Sequence, residues 1–375
     1  MRFTVELKKL AEHIPHLANL IPVKNTMPIL ENFLIEAVEG KDIVVFTVSN
    51  LYMTVICEFE AKVRESGRIA IPARVFVEMT NSLGDLDNPQ MTVSKEEETV
   101  NIHCGGNTYQ FLSADPSEYP LVPTRTLDNA ISVDAMIFNK MVNKTIFSVS
   151  LEKTRILFTG VNWKITADTQ VMASSDGKRI SEIALGSNTD IEKETSHILP
   201  IKCLSFMQKI IRDDDLDLQV VFQAARVMFA YANYTVYSNI IEGEYPDYSK
   251  VFPTEMTSTL IINNDSFKKA LKRLSFLAPD ENHKVKIEIN KENLKLTTMR
   301  PEIGEADILV ENFKLEGEDI KISTNARFLR SILDVIDTEN VRLDFSGNAK
   351  PFIITNTEEP ENQKSRYLLM PLRTR

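Results

Sequence analysis

Two short groups of side chains have the residue types of a metal site. His13 and His16 stand three residues apart, a spacing that would bring both imidazoles near one face of a helix. No cysteine or carboxylate cluster accompanies them, and we expect Pro15 to disrupt the helix that would have to position them. The run Asp213–Asp215 offers oxygen ligands, but similar acidic loops follow two other predicted helices, which favours a solvated turn. We predict no metal and no cofactor.

Motifs of the common enzyme classes do not occur in the sequence. There is no P-loop, no dinucleotide-binding GxGxxG, no HExxH zinc motif and no GxSxG nucleophile motif. The segment Cys104-Gly-Gly-Asn107 is too short for a phosphate-binding loop and has the composition of a hairpin turn. The sequence therefore favours a binding or structural protein, and an enzyme with an unrecognised site is the alternative.

Basic side chains are concentrated on six segments with helical periodicity. Together these segments contain 14 Lys and Arg and 6 Asp and Glu, whereas the whole chain has a net charge of −10. A charge of −10 excludes a nucleic-acid binder that is basic over its whole surface, but it allows one whose basic residues lie together. The segments are 5–18, 72–83, 133–147, 202–212, 264–277 and 325–336.

The segment 264–277 shows how apolar and basic residues are separated. An apolar stripe includes Phe267, Leu271 and Leu274, and four basic residues lie away from it. One interpretation is a set of amphipathic helices with solvated basic faces. The other is that equivalent helices line one surface toward a polyanion, where Lys and Arg would contact phosphates without reading base sequence. No RNP aromatics, zinc-finger spacing or basic zipper indicates base readout.

Cysteine usage and hydropathy are those of a cytoplasmic protein. The three cysteines lie far apart, without a CxxC pair, as expected in a reducing compartment. The N-terminus lacks the apolar core of a signal peptide, and no apolar run reaches the roughly 18 residues needed to span a bilayer. We therefore expect a soluble cytoplasmic protein that does not enter a membrane.

The 375 residues divide into three similar thirds. A strand-like segment at Phe3 recurs after 128 residues at Ile131 and after a further 129 at Leu260, each time followed by a helical pattern. A second strand–helix series recurs within each third. We therefore predict an α+β protein with three similar domains, each made of two strand–helix–strand units. The predicted domains are 1–124, 125–253 and 254–375.

Five short segments, spread over the whole chain, are specific as a set although each is weak alone. They are Pro28-Ile-Leu-Glu-Asn32, Thr154-Arg-Ile-Leu-Phe-Thr-Gly160, Ala173-Ser-Ser-Asp-Gly-Lys-Arg-Ile180, Ile241-Glu-Gly-Glu-Tyr-Pro-Asp-Tyr248 and Tyr367-Leu-Leu-Met-Pro371. In this order and at this spacing, they give the chain a full-length resemblance to the bacterial sliding clamps, the beta subunits of DNA polymerase III.

The resemblance implies a DNA-clamp fold and a head-to-tail homodimer that closes into a ring, with helices inside and sheets outside. It implies a processivity factor that encircles duplex DNA without sequence specificity and is a non-catalytic subunit of DNA polymerase III holoenzyme, a DNA-directed DNA polymerase. The implied partners are the polymerase catalytic subunit, the clamp loader, and mismatch-repair and other proteins that carry a clamp-binding motif. We expect a cytoplasmic, nucleoid-associated protein. A duplicate clamp that does not support replication is the alternative.

The resemblance also implies a groove between the second and third domains that accepts a short linear peptide with apolar anchors. A glycine in its wall would permit a tight turn, and apolar side chains would form its floor. For the apolar residues, interdomain core is the alternative interpretation. Carried over residue by residue, the wall consists of Arg155, Phe158, Ser175, Gly177, Lys178, Arg179, Ile180, Pro246, Val251, Leu368, Met370 and Pro371.

The DNA-facing residues are predicted from the equivalence of the basic helices together with the resemblance. Lys24 falls where the family has a basic loop residue, and Lys202 matches the basic position that begins the fourth helix. Ile156 and Leu157 depart from an aromatic pair that some members have in a DNA-touching loop. The full predicted set is Lys24, Arg74, Lys140, Lys144, Lys202, Lys269, Arg273 and Arg327.

The dimer joint is the third surface that the resemblance implies. The third domain of one chain is expected to meet the first domain of the other. Our candidates are Leu112 and, at the end of the fifth helix, Phe276 and Leu277, although no motif marks them.

Overall fold

The computed structural model describes residues 1–372 with the exception of 22–26, 39, 88, 188, 190, 192, 213–215, 279–281 and 301. Two of the predictions above, Lys24 as a DNA contact and Asp213–Asp215 as a solvated turn, lie outside the described residues. Within the described residues, no helix is long and apolar enough to cross a membrane.

The described residues contain six α-helices, which form where the sequence has apolar residues at helical spacing, and each begins directly after a strand. Side chains cap at least three of them, and Asp134, directly before α3, accepts a hydrogen bond from the Ile137 N–H at 2.8 Å. Asn263 accepts a hydrogen bond from the Ser266 N–H, and Asn325 accepts two from the N–H groups of Arg327 and Phe328. All six predicted helices are confirmed, although each is shorter than predicted. The helices are α1 (Leu7–Ala18), α2 (Ala73–Ser82), α3 (Ala135–Thr145), α4 (Ile201–Ile210), α5 (Asn264–Leu274) and α6 (Ala326–Leu333).

The prediction that Pro15 disrupts the first helix is wrong. Helix α1 continues through Pro15 and ends three residues later, at Ala18. Proline at this position removes a single backbone hydrogen bond from the last turn, and the apolar face of α1, which includes Leu10, Ile14 and Leu17, is fully buried. Burial of that face therefore outweighs the lost hydrogen bond.

The strands occur in short runs between the helices. Residues 1–138 contain β1 (Arg2–Glu6), β2 (Asn32–Val38), β3 (Ile43–Ser49), β4 (Met53–Glu60), β5 (Lys62–Glu65), β6 (Gly67–Pro72), β7 (Gln90–Glu96), β8 (Thr99–Cys104), β9 (Asn107–Leu112) and β10 (Ile131–Asp134). Residues 139–240 contain β11 (Gly160–Ile165), β12 (Thr169–Ser175), β13 (Arg179–Gly186), β14 (Thr195–Pro200), β15 (Asp217–Phe222), β16 (Arg226–Tyr231) and β17 (Tyr234–Asn239). The remainder contains β18 (Ser258–Asn263), β19 (Lys284–Ile289), β20 (Leu294–Arg300), β21 (Gly304–Val310), β22 (Phe313–Gly317), β23 (Ile320–Asn325), β24 (Asn340–Phe345), β25 (Phe352–Asn356) and β26 (Gln363–Leu369).

The described chain forms two compact units. The first unit contains 1–138 and 205–240, and the second contains 139–204 and 241–375. These units do not follow the predicted thirds, because strands of the central third pair with both outer thirds. Strand β17 pairs with β4, and β13 pairs with β26. The domain boundaries after residues 124 and 253 stay a prediction.

The first unit contains two antiparallel sheets. One has the strand order β5-β1-β7-β8-β9, and the other has the order β10-β15-β16-β17-β4-β3-β2-β6. Helices α1 and α2 lie side by side. Phe33, Phe46 and Phe76 form a group of edge-to-face and tilted ring contacts beneath them, which joins α2 to the larger sheet.

The second unit also contains two antiparallel sheets. Their orders are β14-β11-β12-β13-β26-β25-β24-β18-β22 and β21-β20-β19-β23. Helices α5 and α6 pack beside each other over one apolar core, which includes Phe267, Leu271, Leu329 and Phe352. Helices α5 and α6 each bury one face in this core, and their other faces expose Lys269, Lys272, Arg273, Arg327 and Arg330 to solvent. Antiparallel sheets with one-sided helices confirm the predicted α+β class.

Candidate functional site

An apolar cavity of about 210 Å³ lies within the second unit, where β13 meets β26. Ten of the twelve predicted groove residues line it, although they come from three distant parts of the chain. The pairing of β13 with β26 brings the first and last parts together, placing Ile180 opposite Leu368. The lining residues are Phe158, Ser175, Gly177, Lys178, Arg179, Ile180, Pro246, Asp247, Tyr248, Val251, Leu368 and Met370.

The tight turn that leads into β13 is fixed by hydrogen bonds from its own side chains. Ser175 Oγ accepts from the Gly177 N–H at 3.1 Å, and Asp176 Oδ1 accepts from the N–H groups of Lys178 and Arg179 at 2.9 and 3.0 Å. Gly177 has φ +82°, a conformation that a residue with a Cβ adopts only with strain. The turn therefore holds the rim of the cavity in one conformation.

Arg155 and Pro371 are the two predicted groove residues that do not line the cavity. Arg155 nevertheless reaches its rim, because a Cβ added at Gly177 would lie 2.7 Å from Arg155 Nη1. Pro371 follows Met370 and is half-buried. Met370 is joined to the turn by its N–H, which donates to the Lys178 carbonyl at 2.9 Å. Both residues thus adjoin the cavity lining.

Arg179 is held by the protein itself. Its Nε donates to Asp176 at 2.9 Å and its Nη1 donates to Ser331 Oγ at 2.6 Å, while its guanidinium lies 4.2 Å from the Phe328 ring centroid. Burial lowers the pKa of Arg179, and the charge of Asp176 acts in the opposite direction. Because these groups occupy the guanidinium, we assign Arg179 to positioning the turn rather than to contacting a ligand.

The floor of the cavity is apolar, and two of its lining residues, Phe158 and Tyr248, belong to a row of aromatic rings. Ile180, Leu368 and Phe252 are buried together, while Val251 and Met370 are exposed at the rim. Phe158, Tyr245, Tyr248 and Phe252 follow one another with ring centroids 5.7, 6.2 and 6.4 Å apart. Burial raises the pKa of Tyr248, and the neighbouring carboxylate of Glu182 adds to the effect. Such a cavity can accept apolar side chains of an extended peptide.

The basic residues predicted to face DNA separate into two kinds. Lys202, Arg273 and Arg327 are exposed and form no ion pair with the described part of the chain. Arg74, Lys140 and Lys269 are also exposed, but each has a partner: Arg74 donates to the Ile21 carbonyl, Lys140 to Gln363 and Lys269 to Asp265. Counting their whole lengths, the observed helices contain thirteen Lys and Arg and three Asp and Glu. The helices are thus more basic than the predicted, longer segments.

Lys144 does not fit the prediction that it faces DNA. Its side chain is 2% exposed, and its Nζ lies 2.7 Å from both Asp337 Oδ2 and the Val335 carbonyl oxygen. An ammonium group that is buried and doubly engaged cannot also contact a phosphate in this conformation. The equivalence of the basic helices put Lys144 in the predicted DNA-facing set, but a carboxylate from a distant part of the chain, Asp337, is not visible in that pattern. We therefore remove Lys144 from the DNA-facing set.

Neither histidine of the first helix is arranged as a metal ligand. His13 Nδ1 lies 2.8 Å from the Tyr234 hydroxyl, and His16 Nε2 lies 3.2 Å from a nitrogen of Arg212. Burial lowers the pKa of both imidazoles, and the charge of Arg212 lowers it further. Among the described residues, no group of three or more His, Cys, Asp or Glu could hold a metal ion.

Three family models match the chain, one after another. They are the N-terminal, central and C-terminal domains of the DNA polymerase III beta subunit, at residues 1–123, 132–247 and 249–373. The chain belongs to the DNA polymerase III beta subunit family. As a member of this family it is a DNA sliding clamp of the replicative polymerase and has no catalytic activity of its own. The predicted family, function and non-catalytic role are confirmed.

Relatives of this beta subunit match it along the whole chain and share its fold. The beta sliding clamps of Staphylococcus epidermidis and Staphylococcus aureus are each 29% identical to it, and the alignments cover 100% of both chains. The DNA polymerase sliding clamp of Bacillus subtilis superposes with a TM-score of 0.91 at 25% identity. The beta subunit from DNA polymerase of Streptococcus pyogenes superposes with a TM-score of 0.92 at 23% identity, and both structures are covered completely. The predicted clamp fold is confirmed.

Two residues of the beta subunit's cavity are absent from the predicted groove. Asp247 and Tyr248 line it, and both stand in the segment Ile241–Tyr248 that carries part of the resemblance. Asp247 accepts hydrogen bonds from the backbone and hydroxyl of Ser249 at 3.0 and 2.6 Å. The signal is therefore present in the sequence, but the prediction takes only Pro246 from this segment.

The candidate dimer residues of the beta subunit lie at exposed apolar positions. Leu112 is 76% exposed at the end of β9, and Phe276 is 74% exposed just beyond α5, whereas Leu277 is half-buried. Strand β9 ends the sheet of the first unit to which it belongs, and β21 ends the four-stranded sheet of the second. Leu309 on β21 is 67% exposed, and α5 packs against β21. Each unit thus has an apolar open strand edge.

Proposed function

We propose that two copies of this beta subunit join head to tail into a ring around duplex DNA. The observation that supports this most directly is the pair of open edges, β9 in the N-terminal part of the chain and β21 in the C-terminal part. An exposed apolar edge strand is a template for pairing with another chain. Because the two edges differ, their contact is heterologous, and a two-chain ring closes when it forms twice.

The exposed cations of the helices supply the contact with DNA in this proposal. Lys202, Arg273 and Arg327 have no carboxylate partner among the described residues, so their charge is available to phosphates. We also propose Arg74, Lys140 and Lys269 as DNA contacts. On binding, each would give up its interaction within the protein and contact a phosphate instead. Lys24 stays a prediction. Such contacts carry no base information, which suits a clamp that moves along DNA.

The apolar cavity of the second unit is the proposed docking site for the polymerase catalytic subunit, the clamp loader and repair proteins. Each would insert apolar side chains of an extended segment over Ile180, Leu368 and Met370. Charged groups are scarce in the floor, so affinity would come mainly from apolar burial, on the order of 25 cal/mol per Å². Arg179 and Asp176 would keep the rim in place.

The organisation and location of the beta subunit belong to the same proposal. We propose three domains, 1–124, 125–253 and 254–375, because the internal repeat divides the sequence in this way. We also propose a cytoplasmic protein that associates with the nucleoid through DNA.

The dimer joint is tested by replacing its exposed apolar residues. We expect Leu112→Asp with Phe276→Asp to shift the light-scattering mass from twice the 42.6 kDa chain mass to the mass of one chain, because two charges would enter an apolar contact. The control is Leu151→Asp with Ile156→Asp, which changes two other exposed apolar residues. A dimer that persists in the first variant, or a wild-type chain that is monomeric at micromolar concentration, would contradict the proposed ring.

A further inference from the structure

A second depression, of about 100 Å³, lies within the first unit. It belongs neither to the groove nor to the basic helices. Its lining comes from the β3–β4 turn, from the segment after residue 119 and from strands β16 and β17. The lining residues are Ser49, Leu51, Tyr52, Thr54, Pro120, Leu121, Pro123, Arg226, Tyr237 and Asn239.

The turn at this depression repeats the turn of the groove. Ser49 Oγ accepts from the Leu51 N–H at 3.3 Å, as Ser175 Oγ accepts from Gly177. Asn50 Oδ1 accepts from the N–H groups of Tyr52 and Met53 at 3.1 and 2.9 Å, as Asp176 accepts from the two residues after Gly177. Leu51 has φ +71° where Gly177 has φ +82°. The two turns therefore have the same construction.

The remaining walls correspond as well. The Asn239 N–H donates to the Tyr52 carbonyl at 2.9 Å, and the Met370 N–H donates to the Lys178 carbonyl at the same distance. The tripeptide Glu-Tyr-Pro occurs at both sites, and its proline, Pro120 in one and Pro246 in the other, belongs to the lining. The second depression is thus a copy of the groove, produced by the internal repeat.

The side chains at the copy are more exposed than those at the floor of the groove. Leu51 adopts the left-handed conformation that suits glycine and keeps its side chain exposed, and Tyr52 and Leu121 beside it are also exposed. A strained, exposed leucine in a cluster of exposed apolar residues is a feature of binding surfaces. The volume is smaller than the groove's, so it has room for one anchoring side chain.

Two side chains at the copy, Tyr237 and Arg226, have polar groups without a partner among the described residues. The Tyr237 hydroxyl is buried, in a side chain that is 4% exposed, and it forms no hydrogen bond with the described residues. Arg226 lines the depression and is exposed, without an ion pair in the described part of the chain. The charge of Arg125 reaches the same tyrosine and acts against the effect of burial on its pKa. An exposed cation and an unpartnered hydroxyl in the lining of one depression favour an anionic acceptor.

We propose that the second depression binds an extended peptide segment of a partner protein, with one aliphatic anchor and an acidic residue next to it. The anchor would pack among Leu51, Pro120 and Leu121, and the carboxylate would accept from Arg226 and from the Tyr237 hydroxyl. The assignment rests in part on the proposed function, since it takes the groove as a peptide site. Its own support is the unpartnered Tyr237 hydroxyl and the exposed Arg226 in the lining of the depression.

Methyl-resolved NMR of the intact dimer tests this directly. The probe is the acetylated, amidated pentapeptide Gly-Ser-Leu-Asp-Gly, with the Asn analogue in place of Asp as its matched control. We expect saturable shifts of the Leu51 and Leu121 methyl groups, and an affinity about tenfold weaker for the Asn analogue, because an ionic hydrogen bond is lost. The methyl groups of Val251 and Leu368 report on the groove in the same titration. Absence of binding at the second depression can therefore be distinguished from absence of binding at the groove.

Two variants distinguish the proposed site from incidental contact. Arg226→Glu should weaken the affinity read at Leu51 about tenfold, whereas Arg64→Glu, an exposed change on β5, should not. Tyr237→Phe should weaken the peptide without lowering Tm, because the hydroxyl has no internal partner to lose. Absence of shifts at Leu51 and Leu121 up to about 10 mM peptide, or an affinity unchanged by Arg226→Glu, would overturn the proposal, as would a lowered Tm of Tyr237→Phe.

Discussion

At the residue scale, Gly177 and Arg179 have different roles in one turn: Gly177 determines its shape, and Arg179 anchors it. Gly177 supplies a left-handed conformation, and its missing Cβ leaves room for Arg155. Arg179 lines the cavity, and its guanidinium ties the turn to Asp176 and Ser331. The same stretch of sequence therefore provides both the opening of the groove and the rigidity of its rim.

Gly177→Ala is expected to impair the groove specifically. The added Cβ would lie 2.7 Å from Arg155 Nη1 and move that side chain, so the affinity for an apolar partner peptide should fall about tenfold. Fluorescence anisotropy with a labelled peptide measures this. Gly106→Ala is the matched control, because Gly106 has φ +83° and a Cβ added there would meet no atom within 4 Å.

Both glycine variants should lose about 1 kcal/mol of unfolding free energy from backbone strain, and only one should lose peptide affinity. Equal peptide affinities for the two variants would show that the space beside Arg155 has no part in binding. The comparison therefore separates the strain of the turn from the shape of the groove.

Lys144 and Lys202 have opposite roles in this account: Lys144 is buried and stabilises the fold, whereas Lys202 is exposed and contacts DNA. Lys144→Met removes a buried ion pair and a hydrogen bond to the Val335 carbonyl. Urea denaturation should therefore show that the free energy of unfolding falls by about 1–3 kcal/mol. The salt dependence of DNA binding should not change, because Lys144 does not contact phosphate. Lys202→Met should leave stability unchanged and reduce the salt slope by about one for each phosphate that the side chain no longer neutralises. A reduced slope for Lys144→Met, or an unchanged one for Lys202→Met, would contradict the assignments.

At the element scale, strand β26 links the core to the groove. Its residues Leu368 and Leu369 are fully buried and pair with β13, whereas Met370 beyond it lies at the rim. Deletion of Met370–Arg375 should therefore lower peptide affinity at least about tenfold while the dimer mass is retained. Calorimetric titration and light scattering measure the two effects. Unchanged peptide affinity would remove the C-terminal wall from the groove.

The sequence predicted the helices and strands better than the contacts between elements that lie far apart in the chain. Apolar periodicity located all six helices, since each buries one face, but it misjudged Pro15, where burial of the rest of α1 outweighs a lost hydrogen bond. Periodicity also cannot show that Asp337 reaches Lys144, because that contact joins residues far apart in the chain. Resemblance brought the groove residues together, and the pairing of β13 with β26 explains why they meet.

At the scale of the whole molecule, charge is divided between elements. The chain has a net charge of −10, yet its helices contain thirteen Lys and Arg and only three Asp and Glu. An acidic protein can hold DNA in this way if it encloses the duplex, because a closed ring needs no strong contact to stay bound. Weak, nonspecific contacts then favour movement along the DNA.

A closed ring around duplex DNA can leave it only at an end, so comparing DNA with and without free ends tests whether the protein encircles it. The wild-type chain is loaded on nicked circular DNA, the circle is cut once, and retention on the DNA is followed by gel filtration. We predict that the protein stays on the circle, is lost after linearisation, and is retained again when both ends are blocked. Equal retention on circular and linear DNA would contradict a ring that encircles the duplex.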